Sequence, residues 1–385
     1  MSRMHVVILC GFDTYMQRAL LLKDYYERRG HEVTIVTSDF SHWKKEYLDD
    51  EDAPGLIHLP TASYSRNLSL RRLRSHYRLA KDMGRQLEEL QPDWIHVLVP
   101  MNTLCKVSEK YKKRHPQTGV VLDVIDLWPD SLPIKNLKDK PPLSWWRNLR
   151  AHHMKHADLL LTECRLFADR LSQETGLPFE VVYWAHKPQP ISSAVFLLED
   201  QISLAYLGSI NNIIDDQRML ELLKACQAHK PVVLRLVGRG ERKNELIAAC
   251  REAGIQVIDY GEIYDFRRKL EIFSLCSFGL NVIKPDVVVG LSMKSIDYLE
   301  AGLPLISTLQ GDTRDLIEKE NAGLNLNADN LQAVARQIAE QSPQANHRQR
   351  VCAREAFLRH FTRARMESRL DDLLPAAITG RGDSG

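Results

Sequence analysis

A lysine in the first turn of an expected helix asks for a chemical reason. The stretch GLSMKSIDYLEAGLP (290–304) has helical apolar spacing at Met293, Ile296 and Leu299, then a stop at Gly302 with Pro304 beyond. Lys294 sits where the helix dipole favours an anion. Ser292 at the helix mouth and the exposed amides of Leu291–Lys294 suit a bound diphosphate, whose charge Lys294 would neutralise. Asp297, three residues on and on the same face, would accept hydrogen bonds from sugar hydroxyls. The bland alternative is a lysine snorkelling off the helix end.

Other stretches offer related chemistry. In DVIDLWPDSLP (123–133), Asp126 ends an apolar run and Asp130 lies in a proline-stiffened loop. Either carboxylate suits a general base or the stabilisation of positive charge at a reacting carbon. Gly11 follows the first apolar run, with Gln17 and Arg18 near it, a loop suited to an acceptor. In the second half, YLGSINN carries Gly208, Ser209 and Asn211, which read as a phosphate-contacting loop or as a plain turn with a cap. LVGRGERKNEL places Gly238, Arg239 and Gly240 at a strand end. The third glycine of a dinucleotide fingerprint is missing there, because Lys243 or Asn244 holds its place. Tyr260 to Ile263, in YGEIYD, suit backbone contacts to a nucleobase. No metal site is expected. DDED (49–52) ends no strand, and His152, His153 and His156 lack a neighbouring acid or thiol.

These loops need elements to hold them. Short aliphatic runs alternate with helical patterns over 5–185, then again over 202–308, as parallel sheets covered on both faces require. The chain of 385 residues therefore reads as an α/β protein with two tandem Rossmann-like doubly wound domains, 1–186 and 202–354. Residues 187–201 form a linker, a long polar helix spans about 345–374, and 376–385 are expected to be disordered. Facing domains of this kind put both sets of strand ends on one cleft. A formal charge of +2 gives no reason to expect nucleic acid. The seven cysteines form no C-x-x-C pair and read as reduced, buried thiols of a cytoplasmic protein. MSRMHVVILCGF reads as a first strand, and no apolar run is long enough to span a bilayer. The basic stretch 66–87 and Trp145/Trp146 suit peripheral contact with the inner face of a membrane, or equally a solvated face and two core indoles.

Taken in order, YLGSIN, LVGRGERKNEL, YGEI and MKSIDYLEAGLPLIS resemble the GT-B glycosyltransferases, close to the retaining family 4 enzymes of bacterial surface-polysaccharide synthesis. DLWPDSLP resembles the D-x-W-P-[DE]-S segment of one subgroup. The resemblance spans nearly the whole chain. It implies transfer of a sugar from a nucleotide diphosphate sugar, with no cofactor or metal, to a glycan or lipid-linked acceptor. It assigns 1–186 to the acceptor and 202–354 to the donor, with a C-terminal helix (about 355–375) packing back on the first domain. Lys294, Ser295 and the helix mouth would take the diphosphate, and Gly208, Ser209 and Asn211 would line the phosphate side. Asp297 would take the place of the glutamate that holds ribose, and Tyr260 to Ile263 would approach the base. Asp126 would orient the acceptor or stabilise the oxocarbenium-like state. The chain departs from the family in two places. The first glutamate of E-x7-E is Val289, and the Arg and Lys that often follow the first donor-domain strand are not evident. A nucleotide-sugar 2-epimerase and a non-catalytic nucleotide-sugar-binding protein are the alternatives. A nicotinamide dehydrogenase lacks its glycine fingerprint.

Overall fold

The computed structural model describes residues 3–48, 53–65, 69–131, 139–191 and 200–379. Two compact units share them. The first runs to Ser131, resumes as far as Trp184, and takes the chain again from Met366; the second holds Ala185–Arg365. The expected linker falls mostly on 192–199, outside the described residues.

In the first unit the elements are β1 (His5–Cys10), α1 (Met16–Glu27), β2 (Glu32–Ser38), β3 (Leu56–Leu59), α2 (Leu70–Leu90), β4 (Trp94–Val99), α3 (Thr103–Arg114), β5 (Gly119–Val124), α4 (Leu143–His152), β6 (Leu159–Thr162), α5 (Arg165–Thr175) and β7 (Glu180–Val181). The sheet is parallel, in the order β3-β2-β1-β4-β5-β6-β7. The second unit repeats the plan with β8 (Ile202–Leu207), α6 (Asp216–Gln227), β9 (Val232–Val237), α7 (Lys243–Glu252), β10 (Gln256–Asp259), α8 (Phe266–Phe273), β11 (Phe278–Asn281), α9 (Met293–Glu300), β12 (Leu305–Ser307), α10 (Asp312–Glu320), β13 (Gly323–Asn325), α11 (Leu331–Glu340) and α12 (Pro343–His360). Its order is β10-β9-β8-β11-β12-β13, again parallel. Every residue of β4, β5 and β8 is buried, as strands covered by helices on both faces must be. In each sheet the order reverses beside the first strand, at β1/β4 and at β8/β11. The carboxyl ends at such a switch point form the crevice where doubly wound sheets take ligands.

The C-terminus corrects two expectations. The helix over 345–374 is two helices, α12 and α13 (Arg363–Leu373). Phe361, 2% exposed, ends the first; its carbonyl accepts from His186 N, and Arg363 N donates to the His186 carbonyl. A bridge between His186 and Thr362 thus replaces the helical bonds that would have continued. Residues 376–379, expected to be disordered, form α14 (Ala376–Thr379), and the Ile378 carbonyl lies 2.8 Å from the buried ring of His31. Beyond Met366 the chain packs on the first unit, where Asp371 accepts from Tyr25 (2.9 Å) and Arg29 (2.8 Å).

Candidate functional site

The second unit concentrates its polar chemistry around the start of α9. Tyr298 anchors that helix. Its hydroxyl accepts from Leu207 N (2.7 Å), and its ring lies where a Cβ on Gly279 of β11 would stand, 2.7 Å away. Ser292 caps the helix, its Oγ accepting from Ser295 N. Asn281, fully buried at the end of β11, donates to Ser292 Oγ (2.8 Å) and Ser295 Oγ (2.7 Å). This neutral network fixes the first turn without satisfying the amides of Met293 and Lys294, which donate to no acceptor among the described residues.

Lys294 reaches from that turn to the end of β8. Its Nζ lies 3.2 Å from the Tyr206 hydroxyl, 4.6 Å from the Tyr206 ring centre, and beside Gly208. No carboxylate among the described residues pairs with it. Burial pushes its ammonium down to about 7. Gly208 has φ +109, and Gly238 stands so close that its Cβ would lie 2.1 Å from the Gly208 carbonyl oxygen. The expected glycines are thus used for backbone-to-backbone packing, with Gly208 N on Val237 O and Gly238 N on Gly261 O. Gly208 adds no side chain beside Lys294, whose Nζ would stand 3.9 Å from a Cβ there.

Asp297 lies one turn further along α9. Lys269 donates to its Oδ2 (3.1 Å), and His186 Nδ1 is 3.9 Å from Oδ1 and 2.7 Å from Glu300. His186, Asp297 and Glu300 are the one group among the described residues whose ligand atoms are close enough to share a metal ion. The Lys269 ammonium already neutralises Asp297 there. Arg239 pairs with Glu262 at 3.2 Å, half exposed. The Tyr260 hydroxyl is turned to Arg235 of β9 (2.6 Å), and Ile263 is partly exposed beside it. Ser209 and Asn211 are not helix caps. Asp215 caps α6, the Ser209 carbonyl accepts from Tyr206, and Asn211 Oδ1 accepts from Ile213 N. The extra residues between β8 and α6 run alongside the end of β11, with Asp215 N on Val282 O, and this moves the cap downstream.

In the first unit Asp126 lies just past β5. It accepts from Ser131 Oγ (2.7 Å) and Tyr15 OH (3.2 Å), and burial raises its carboxyl above the usual range. Arg72 of α2 stacks over Trp128 (4.7 Å) and Phe12 (5.8 Å), and its Nε lies 3.3 Å from His76. His42 is pushed down to about 3 by burial and packs on Phe12, and its Nδ1 meets the Tyr64 hydroxyl. Glu163, pushed up to about 8 by burial, accepts from the Trp184 indole. Sequence reading missed Tyr15, Arg72 and Glu163. The signals were a tyrosine in the turn between β1 and α1, an acid just past β6, and one arginine indistinguishable within a basic run.

One acceptor-site expectation is corrected. Arg18 is 1% exposed; its guanidinium is used on Asp123 (2.6 and 3.1 Å) and on the Val182 carbonyl (2.9 Å). Buried Asp123 needs that counter-charge, so the arginine faces the core. Asp130 is bridged to Arg147 (3.2 Å) and Arg150 (3.4 Å), tying its loop to α4. Gly11 is buried against Met101, whose Cε would stand 2.9 Å from an added Cβ, while Gln17 is exposed on α1. Trp146 packs edge-on against Trp128, so only Trp145 of the tryptophan pair is exposed. His152, His153 and His156 each bond a different partner: the Asn148 carbonyl, Glu109 and Ser108.

Both halves match glycosyltransferase family models. Residues 16–183 match the glycosyl transferase 4-like domain, and residues 201–341 match the glycosyl transferases group 1 domain. The chain belongs to this glycosyltransferase family. No curated protein matches its sequence. Solved structures that resemble the glycosyltransferase include the apo form of the lipopolysaccharide outer core galactosyltransferase WaaB, at 14% identity and TM-score 0.68, covering 96% of this chain and 99% of that one. Sucrose-phosphate synthase from Thermosynechococcus elongatus is 13% identical with TM-score 0.72, covering 96% and 98%. Anabaena Alr3699/HepE in complex with UDP and glucose is 13% identical with TM-score 0.67, covering 96% and 99%. At these identities the likeness carries the fold alone: two Rossmann-like domains of the GT-B type.

Proposed function

We propose that this glycosyltransferase moves a hexose from a nucleotide diphosphate sugar to a glycan or lipid-linked acceptor, with retention, in surface-polysaccharide or glycolipid synthesis. One observation carries the reading. Lys294 stands without a carboxylate partner among the described residues, at a helix mouth with unsatisfied amides, over a strand end cleared by Gly208 and Gly238. A diphosphate there gains the helix dipole, the amides and the ammonium, and the same groups stabilise it as it leaves. That supply of positive charge is the ground for a transfer that needs no metal. Asp297 takes the ribose hydroxyls, and Tyr260 to Ile263 the base. The acceptor oxygen bonds to the anomeric carbon as the carbon–phosphate oxygen bond breaks, and the acceptor proton passes to the departing phosphate. Asp126, held by Tyr15 and Ser131, orients the acceptor hydroxyl. Exposed Leu70, Tyr77 and Trp145 support a peripheral membrane contact for the first unit; among the described residues no helix is long and apolar enough to cross a membrane.

The HepE complex makes UDP-glucose the first donor to test. The protein should release UDP in the presence of acceptor, and Lys294→Ala should abolish this while melting at an unchanged temperature. Full turnover by the variant refutes the assignment. Donor consumed without acceptor to give an epimer would mark the epimerase reading, and donor bound without turnover the binding-protein reading.

A further inference from the structure

A groove of about 540 Å³ lies between α2 and α3 of the first unit. It is built on helix faces, apart from the strand-end loops that carry Asp126. Ala80 and Gly84 of α2 and Val107 of α3 form its floor, and the helices meet so closely that a Cβ on Gly84 would touch Val107 at 3.0 Å. Its walls are cationic. Three of the lining cations are already neutralised: Arg85 by Asp82 (2.6 Å), Lys113 by Glu109 (3.0 Å) and Arg114 by Glu88 (2.6 Å). Lys81, Lys106 and Lys110 have no carboxylate partner among the described residues. Lys106 and Lys110, four residues apart, project from one face of α3. Like charges gathered around one groove repel unless an anion enters it.

The surroundings say what carries that anion. Tyr77 lines the groove and is 61% exposed; Leu70, seven residues earlier on the same face of α2, is 78% exposed. Leu149 lines it from α4, and Trp145, four residues before it, is 68% exposed. Exposed leucine, tyrosine and tryptophan flanking an apolar-floored basic groove match the interfacial zone of a bilayer, where apolar groups enter the acyl boundary and cations meet phosphates. A nucleic acid offers nothing for Leu70 or the apolar floor.

We propose that this groove seats the phosphate head group of an anionic phospholipid and docks the first unit on a membrane. The inference rests on the membrane contact in the proposed function and names its site, while the transfer chemistry is tested apart from it. The experiment is co-sedimentation of the full chain with vesicles of phosphatidylcholine, alone and mixed with phosphatidylglycerol. The protein should bind the mixed vesicles more tightly. The combined Lys81→Gln, Lys106→Gln, Lys110→Gln variant should lose that preference by about 5-fold per charge, on the order of 100-fold in all. A control of equal charge change on the second unit, at exposed Lys187, Arg336 and Arg348, should stay within about two-fold. Tyr77→Ala with Trp145→Ala should weaken binding to both vesicle types. Equal binding of the protein to both vesicles, or an unaffected lysine variant, overturns the proposal. So does release by glycerol phosphate as effective as by lipid, or by single-stranded RNA, since each assigns the groove another occupant. Donor turnover with a soluble acceptor should be unchanged in the lysine variant, so that a failed groove and a failed transferase reading give different results.

Discussion

Donor binding should take up a proton at Lys294. Burial pushes the ammonium down to about 7, and no acid among the described residues counters it; a diphosphate oxygen beside it would restore the charged form. Below about pH 7 the empty site already carries the charge, and affinity for UDP-glucose should be flat. Above that, and up to the raised pKa of the bound ammonium, affinity should fall about tenfold per pH unit, ~1.4 kcal/mol each. Calorimetric titration in two buffers of different ionisation enthalpy reads the proton directly. Near pH 8 about 0.9 proton should be taken up per donor, and near pH 6 about 0.1. Lys294→Arg, charged throughout, should abolish both the uptake and the slope. Lys294→Ala removes a cation some 4 Å from a phosphate, about 4 kcal/mol at an effective dielectric near 20, on the order of 1,000-fold in affinity below about pH 7, where the empty site already carries the charge. Tight donor binding near pH 8 with no proton uptake would refute the placement of the diphosphate on this lysine.

Three further outcomes probe the scaffold. Arg18→Ala leaves Asp123 buried with His96 as its remaining ion-pair partner among the described residues, and should cost about 3–5 kcal/mol in urea unfolding; unchanged stability with lost acceptor binding would return Arg18 to the acceptor site. Gly238→Ala forces a Cβ to 2.1 Å from the Gly208 carbonyl oxygen at φ +145, and should lower the melting temperature by an amount equivalent to about 2 kcal/mol or more. Glu163 has a folded pKa raised to about 8, so the folded state keeps a proton that the unfolded chain releases above about 4.5. Stability should therefore fall as pH rises between those values, by up to ~1.4 kcal/mol per unit, and level off beyond. Glu163→Gln should be spared that fall, so parallel unfolding curves for both proteins near pH 6 and pH 8 would disprove it.

The repeating strand and helix pattern was legible because buried parallel strands are written as continuous apolar runs. β3 and β13 were not, since Leu56–Leu59 and Gly323–Asn325 are short edge strands whose pairing is decided by neighbours remote in sequence. The α9 mouth was legible because a lysine there opposes the dipole, a conflict local to one turn. Arg18 was misread for the opposite reason: its partner Asp123 lies 105 residues away, and nothing near Arg18 distinguishes a buried guanidinium from an exposed one. The ion pairs of Asp130 were hidden in the same way, its arginines lying 17 and 20 residues on. The break between α12 and α13 depends on His186, which no helical periodicity within 343–373 could reveal.

The distribution of charge along α9 explains why one residue bears so much of the proposed donor chemistry. Its acids are committed before any ligand arrives, Asp297 to Lys269 and Glu300 to His186. Its cap is neutral, since Asn281, Ser292 and Ser295 hold the first turn by hydrogen bonds alone. Where the family resemblance expects a glutamate, Val289 packs against the core of the second unit and adds no charge. Lys294 is left as a cation that burial disfavours and no acid among the described residues supports, and it loses its proton within reach of neutral pH. A carboxylate partner would keep it charged, but would also occupy the position a diphosphate must take. On the proposed reading, an ammonium stabilised only by its ligand would meet the dianionic donor with no internal ion pair to break first.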